Sequence, residues 1–222
     1  MMNKSYRHIF LIGNVGSGKS TAMPILKKGL KAKLLRADEL FQTSCPFRKE
    51  FLKDMSRWGL ANELWLTFER AKMLKKHLEK NNNSLTIIDS GLLMSWVYTY
   101  SHYLEKKITK HEWELYSRIY DHLVADLVKD FMVVNFSYSF DTLFKRIKKR
   151  GRSYEVKGYN IKYLKQLEKG LCALKEKLKK DKIKFIDILE KDIPEFEQDK
   201  KNQKILIDKV KNGIFLGFNK PR

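Results

Sequence analysis

Cysteine is nearly missing: the 222 residues hold two, Cys45 and Cys172. They stand far apart and in no metal-type spacing, which excludes a disulfide framework and suits a reducing compartment. Proline is as sparse, with four, so long stretches are free to be helical. No run of about 18 apolar residues occurs, and no membrane span is expected. The first strand-like run begins at Ile9, which leaves no room for a signal peptide and makes the cytoplasm the expected location. Acid is short too: 26 Asp and Glu against 46 Lys and Arg give a net charge of +20. The lysine excess is spread along the chain with Asn81-Asn82-Asn83 and many isoleucines, and no aromatics interleave with a basic patch as in a single-strand binder. The charge therefore reads as composition that attracts anionic nucleotides, and no nucleic-acid partner is expected.

What is present is organised around Gly13-Asn14-Val15-Gly16-Ser17-Gly18-Lys19-Ser20, followed by Thr21. This fits G-x-x-x-x-G-K-[ST], the phosphate-binding P-loop. Ile9-Phe10-Leu11-Ile12 before it reads as a buried strand, and Thr21 to Leu30 as a helix with Pro24 in its first turns. The glycines let several backbone N–H groups point inward, and the helix N-terminus adds positive dipole. Lys19 then reaches the outer phosphates of a nucleotide such as ATP, and the Ser20 hydroxyl ligates Mg²⁺.

The rest of the chain fits one α/β domain over residues 1–222, without internal repeats. Ala32 to Leu35 reads as a second strand, and Asp38 and Glu39 just beyond it are either a general base at the carboxyl edge of the sheet or the first-turn acids of the next helix. Pro46 to Lys80 reads as two helices. In the second, Leu60, Leu64, Phe68, Ala71, Leu74 and Leu78 make a core-facing stripe; Glu63 at its edge is either solvated or a ligand contact, and Trp58 just before it is core first and substrate pocket second. Leu85 to Ile88 reads as a central strand ending in Asp89, a magnesium-side carboxylate or a helix N-cap. Gly91 to Glu105 and Thr109 to Lys129 read as helices. Thr109 and Glu112 form a capping box, and Leu115, Ile119, Leu123 and Leu127, broadened by Tyr116 and Tyr120, make a stripe wide enough to serve a dimer partner as well.

Phe131 to Phe136 reads as strand four and Asp141 to Lys149 as a helix. It runs into Arg146-Ile147-Lys148-Lys149-Arg150-Gly151-Arg152, where the basic charge is concentrated. Here it reads as a lid that clamps transferring phosphates, since Arg gives bidentate contacts that Lys does not; a solvated basic helix end is the simpler reading. Asn160 to Lys180 follows as a long helix, Lys184 to Ile188 as strand five, Ile193 to Gln203 as a loop where a nucleotide base packs, and Ile205 to Lys211 as the last helix.

Residues 7–190 resemble the deoxynucleoside kinase family. The resemblance rests on the loop at 13–21, on Lys53-Asp54 with Trp58 and Glu63 beyond it, and on Arg146 with Arg150-Gly151-Arg152-Ser153-Tyr154-Glu155 and then Tyr163-Leu164. It implies a P-loop kinase three-layer sandwich: a five-stranded parallel sheet flanked by helices, with a helical lid at about 145–160. It also implies transfer of the ATP γ-phosphoryl group to the 5′-hydroxyl of a nucleoside, with Mg²⁺ as cofactor and a homodimer. The family's Glu-Pro after strand two is replaced here by Ala37-Asp38-Glu39, so the catalytic-base role moves to Asp38, with Glu39 as second choice and as a substrate contact. Lys19, Arg146, Arg150 and Arg152 act on phosphates, Ser20 and Asp89 hold the metal, and Glu155 contacts the sugar 3′-hydroxyl.

The acceptor half departs from the family pattern. Ser90 stands for an arginine beside the 5′-hydroxyl, Trp96 for an arginine near the base, Glu63 for the base-reading glutamine and Leu52 for a sugar-contacting tyrosine. Two other readings stay open on these residues. One is a nucleotide or other small-molecule kinase, in which Arg36 and Arg57 hold an acceptor phosphate. The other is a nucleotide-binding regulator without efficient turnover.

Overall fold

Alternate residues of the run Ile9–Ile12 face opposite sides of a sheet, and both sides are buried. The computed structural model describes residues 6–37, 40–80, 84–89, 91–125, 127 and 131–215. β1 (His8–Gly13), β2 (Lys33–Arg36), β3 (Thr86–Asp89), β4 (Phe131–Ser137) and β5 (Lys184–Leu189) form one parallel sheet in the order β2-β3-β1-β4-β5. Ile9 and Leu11 enter the core on one face, with Met23 and Leu26 of α1 (Lys19–Leu30), Leu143 and Ile147 of α7 (Phe140–Arg150), and Leu206 and Val210 of α10 (Lys200–Phe215). Phe10 and Ile12 enter the other, with α4 (Met55–Lys80), α5 (Gly91–Leu104), α6 (Lys110–Ala125) and α9 (Ile161–Lys180). The expected three-layer sandwich is the observed one. Two short helices, α2 (Leu40–Thr43) and α3 (Arg48–Lys53), precede α4, and α8 (Ser153–Gly158) follows α7. No helix among the described residues is long and apolar enough to cross a membrane.

The strand ends are in register. Leu11 pairs with Asp89, Arg36 with Asp89, and Gly13 with Phe136. The P-loop, the segment after β2, Asp89 and the loop after β5 therefore leave the same carboxyl edge, where ligands of open parallel sheets bind.

Three expectations need correction. The buried face of α4 consists of Gly59, Asn62, Glu63, Leu66, Thr67, Arg70, Ala71 and Leu74, while Phe68 is 49 % exposed. Ala71 and Leu74 of the expected stripe are buried, and Leu60, Leu64 and Leu78 pack half-buried on the core; Phe68 alone of the stripe faces out, and the buried face also carries four polar side chains that a reading of apolar residues leaves out. On α6 the core-facing positions are Tyr116 and Tyr120, and Leu115 is 51 % exposed; the Tyr116 hydroxyl pairs with Thr67 Oγ1 at 2.9 Å, which lets the ring enter the core. α10 starts at Lys200 rather than Ile205, because Asp199 Oδ1 accepts from the backbone N–H of Lys201 and Asn202. The capping box at α6 is as read: Thr109 N–H donates to Glu112 Oε2 at 2.6 Å and Glu112 N–H to Thr109 Oγ1 at 3.2 Å.

Candidate functional site

The P-loop turns at two left-handed glycines, Gly16 (φ 79°) and Gly18 (φ 92°), and Gly18 caps α1. A Cβ at Gly16 would stand 2.8 Å from the carbonyl oxygen of Leu143, so the loop lies directly against α7. Lys19 is buried in the first turn of α1, and its Nζ reaches back across the loop to donate to the carbonyls of Gly13 (2.7 Å) and Asn14 (3.0 Å). The Asn14 amide ties the loop to α9: Nδ2 donates to the Leu164 carbonyl at 2.8 Å and to Glu168 Oε2 at 3.3 Å, while Oδ1 accepts from Val15 N–H. Asn14 thus braces the loop from behind, with Gly13, while Val15 through Thr21 line a cleft of about 1270 Å³.

Ser20 and Asp89 come together as expected. Ser20 Oγ donates to Asp89 Oδ2 at 3.3 Å, with Asp89 buried at the end of the central strand β3. Two hard oxygen donors beside a phosphate-binding loop fit magnesium, which binds through few protein ligands and substrate phosphates. Asp38, Glu39 and Ser90 lie outside the described residues, as do the turn residues 81–83.

Arg146, Arg150 and Arg152 all line the cleft with the loop, joined on α7 by Thr142, Lys145 and Lys149. Arg146 lies over the Tyr138 ring at 4.4 Å and donates through Nη2 to the Pro194 carbonyl at 3.0 Å. Its Nη1 is buried and has no partner among the described residues. Arg150 and Arg152 are paired with Glu155 rather than free: Arg150 Nη2 lies 2.5 Å from Oε2 and Arg152 Nη1 3.2 Å from Oε1. The loop after β5 supplies Pro194, Glu195, Glu197, Gln198 and Asp199 to the rim, where the nucleotide base was expected.

The far end of the cleft is formed by α3, α4, α5 and the start of α9. Glu63 is 3 % exposed and lines it. Its Oε1 accepts from Asn62 Nδ2 at 2.9 Å, and His102 Nε2 lies 3.7 Å away. Phe51 meets the His102 ring edge-on at 5.5 Å, and Leu52 stands at the rim. Tyr159 and Tyr163 are stacked at 4.5 Å. Burial pushes the Tyr163 phenol well up, with Tyr159, Tyr98 and Glu63 close enough to add to it.

Two expected substrate contacts are elsewhere. Trp58 packs on Phe47 (5.8 Å) under Arg57 (4.9 Å) and is not among the cleft-lining residues; five residues before Glu63, it points about 140° around the helix from it. Trp96 is buried between α5 and α6, stacked on Tyr100 (5.1 Å) and edge-on to Trp113 (5.2 Å). The guanidinium at that end of the cleft belongs to Arg70, whose Nε donates to the Ala37 carbonyl at 3.2 Å and Nη1 to Ser95 Oγ at 2.7 Å. Its spacing of seven from Glu63 puts both on one helix face, a signal the sequence carried. His102 had no such signal.

The family model for deoxynucleoside kinase matches residues 9–214 of the chain. Deoxyguanosine kinase of Bacillus subtilis (strain 168) is 27% identical over 162 residues, covering 72% of this chain and 73% of that protein. Deoxyadenosine kinase of Lactobacillus acidophilus is 24% identical over 172 residues, 72% and 77% of the two chains. Among solved structures, deoxyadenosine kinase from M. mycoides with bound dCTP superposes with a TM-score of 0.70 at 24% identity, covering 92% of this chain and 99% of that one.

Proposed function

Since the chain belongs to the deoxynucleoside kinase family, we propose that it moves the γ-phosphoryl group of ATP onto the 5′-hydroxyl of a nucleoside seated at the α3–α4–α5 end of the cleft. The observation that carries this reading is one cleft lined by the P-loop, by the arginines of the lid, and by a buried polar wall on α4. The backbone N–H groups of the loop and Lys19 hold the donor phosphates. Arg146, Arg150, Arg152 and Lys145 offset the charge on the phosphoryl oxygens. Ser20 and Asp89 would hold Mg²⁺, which when bound screens the outer phosphates. The nucleoside oxygen bonds to the γ-phosphorus as the bond to ADP breaks, and the hydroxyl proton passes to Asp38, or to Glu39, after β2. Arg70 donates to the carbonyl of Ala37, the last described residue before them. Glu155 takes the sugar 3′-hydroxyl.

The chain acts as one unit, residues 1–222, with the segment at about 145–160 as its lid. Its partner is a second copy: Phe68 of α4 and Ile119 and Leu123 of α6 form an outward apolar hollow, continuous with exposed Leu115. The monophosphate-kinase alternative rested on Arg36 and Arg57, and neither is among the residues lining the cleft.

The test is ATP turnover over a panel of nucleosides and nucleoside monophosphates, with wild type and Lys19→Ala. Nucleosides stimulate turnover in the wild type and the variant loses it. If no nucleoside raises turnover above the level of the variant, the reading fails.

A further inference from the structure

The polar wall of α4 presents an uncommon set of atoms. Glu63 Oε2 is buried and has no hydrogen-bond partner among the described residues, although its side chain lines the cleft. Oε1 has one partner, Asn62; His102 at 3.7 Å is too far for a hydrogen bond. An unpaired buried carboxylate oxygen is costly, so this wall is complete only when a ligand donates to it. Two turns along the same helix face, Arg70 uses two of its N–H groups on Ala37 and Ser95, and guanidinium carries five donors. The wall therefore offers a bidentate acceptor followed by a donor. Phe51, Tyr98 and Tyr163 give the same end flat apolar surface.

Nucleobases differ in the order of donors and acceptors on their pairing edge. Adenine and cytosine each place an amino donor beside an unprotonated ring nitrogen. An amide fits that pair with one donor and one acceptor; a carboxylate would set an oxygen lone pair against the ring nitrogen. Thymine and uracil give one N–H between two carbonyls, and the carbonyls face the carboxylate oxygens. Guanine alone of these places two donors side by side, N1–H and the 2-amino group, next to an acceptor, O6.

We infer that Glu63 and Arg70 make this enzyme select guanine: the carboxylate accepts from N1–H and the 2-amino group, and the guanidinium donates to O6. The inference rests on the nucleoside kinase reading and names the base which that reading leaves open. Asn62 donates to Oε1 at 2.9 Å and so restrains the carboxylate.

The test measures kcat/KM and, separately, equilibrium binding by calorimetry for deoxyguanosine, deoxyinosine, deoxyadenosine and deoxycytidine. Wild type prefers deoxyguanosine to deoxyadenosine by about 100-fold or more, since unpaired polar groups penalise the wrong base. Deoxyinosine, which lacks only the 2-amino group, falls by about 10- to 100-fold, the value of one hydrogen bond to a charged acceptor. Glu63→Gln moves the preference toward deoxyadenosine and deoxycytidine and shrinks the deoxyguanosine-to-deoxyinosine ratio. Equal use of deoxyinosine and deoxyguanosine by the wild type overturns the inference without any variant. So does a Glu63→Gln protein that melts like wild type and keeps the same base order. Nucleosides that bind in the guanine-first order with no phosphate transferred would sink the kinase reading and keep the base assignment; transfer without base order would do the reverse.

Discussion

Replacing Glu155 by Gln separates what the lid contributes to folding from what it contributes to catalysis. The side-chain carboxylate is 4 % exposed and holds Arg150 at 2.5 Å and Arg152 at 3.2 Å, whose side chains are 33 % and 40 % exposed. Fully buried, two such contacts would be worth about 1.5–3 kcal/mol each. Water reaches both guanidinium groups, however, so each pair stabilises the fold by about 1 kcal/mol at most. The melting temperature should fall by a few degrees, since about 1 kcal/mol moves a domain of this size by roughly 2–4 °C. Catalysis should suffer more. Glu155 is also the assigned partner of the sugar 3′-hydroxyl, and loss of one charge-assisted hydrogen bond inside a closed cleft lowers kcat/KM by about 10- to 100-fold. The same penalty should appear when wild type is given the 2′,3′-dideoxynucleoside, which lacks that hydroxyl. Variant and analogue together should cost little more than either alone, because both delete one contact. A coupled kinase assay run as this double cycle decides the matter. If the analogue penalty is as large in Glu155→Gln as in wild type, Glu155 does not touch the 3′-hydroxyl and only orders the lid.

Three further outcomes follow from the same coordinates. Gly16→Ala puts a methyl 2.8 Å from the Leu143 carbonyl at a backbone φ of 79°, so ATP affinity measured by calorimetry should collapse, together with a stability loss of at least about 1–2 kcal/mol; near-normal ATP binding would show that the loop does not rest on α7. Phe68→Glu places a charge in the hollow that Phe68 forms with Ile119, Leu123, Arg118 and His122; if that hollow is the dimer interface, light scattering should report a dimer for wild type and a monomer for the variant, and an unchanged mass would move the interface elsewhere. Burial works to raise the Asp187 carboxyl, but Lys175 Nζ at 2.7 Å and Asn135 Nδ2 at 2.9 Å outweigh it and hold the carboxyl below its ordinary 3.8. A depressed carboxyl stabilises the fold above its unfolded value and loses that contribution as pH falls through the folded one. Lys175→Met should therefore cost up to about 1 kcal/mol at pH 7 and progressively less below about pH 4, as read from urea melts; a deficit independent of pH would assign the loss to packing.

The donor half of the site was legible because its chemistry is local. A P-loop needs eight consecutive residues between a strand and a helix, and each neighbour, from Gly16 to Ser20, is fixed by the one before it. Asp89 was legible for a similar reason: an acid that ends a short, fully buried strand stands at the sheet edge. The acceptor half is assembled from four helices, and there the reading of helix faces went wrong in one direction. Apolar periodicity assumes that polar residues face water. On α4 Glu63 and Arg70 face inward and line the cleft, with Asn62 and Thr67 buried beside them on Cys45 and Tyr116, so Phe68, drawn into the apolar stripe, faces outward instead. On α6 the tyrosines took the fully buried positions, since Thr67 of α4 supplies a partner for Tyr116, while Ile119 and Leu123 are half-buried and Leu115 is exposed. The two errors have one origin. A helix that borders a polar pocket gives up part of its inward face to ligand, and its neighbour must then bury hydroxyls against it. Trp96 of α5 joins the aromatic cluster with Tyr100 and Trp113, and Arg70 of α4 presents the guanidinium. Where a helical stripe contains a carboxylate and an arginine seven residues apart, the physical expectation is thus a pocket wall, and the apolar residues beside it are the ones left facing solvent or a partner.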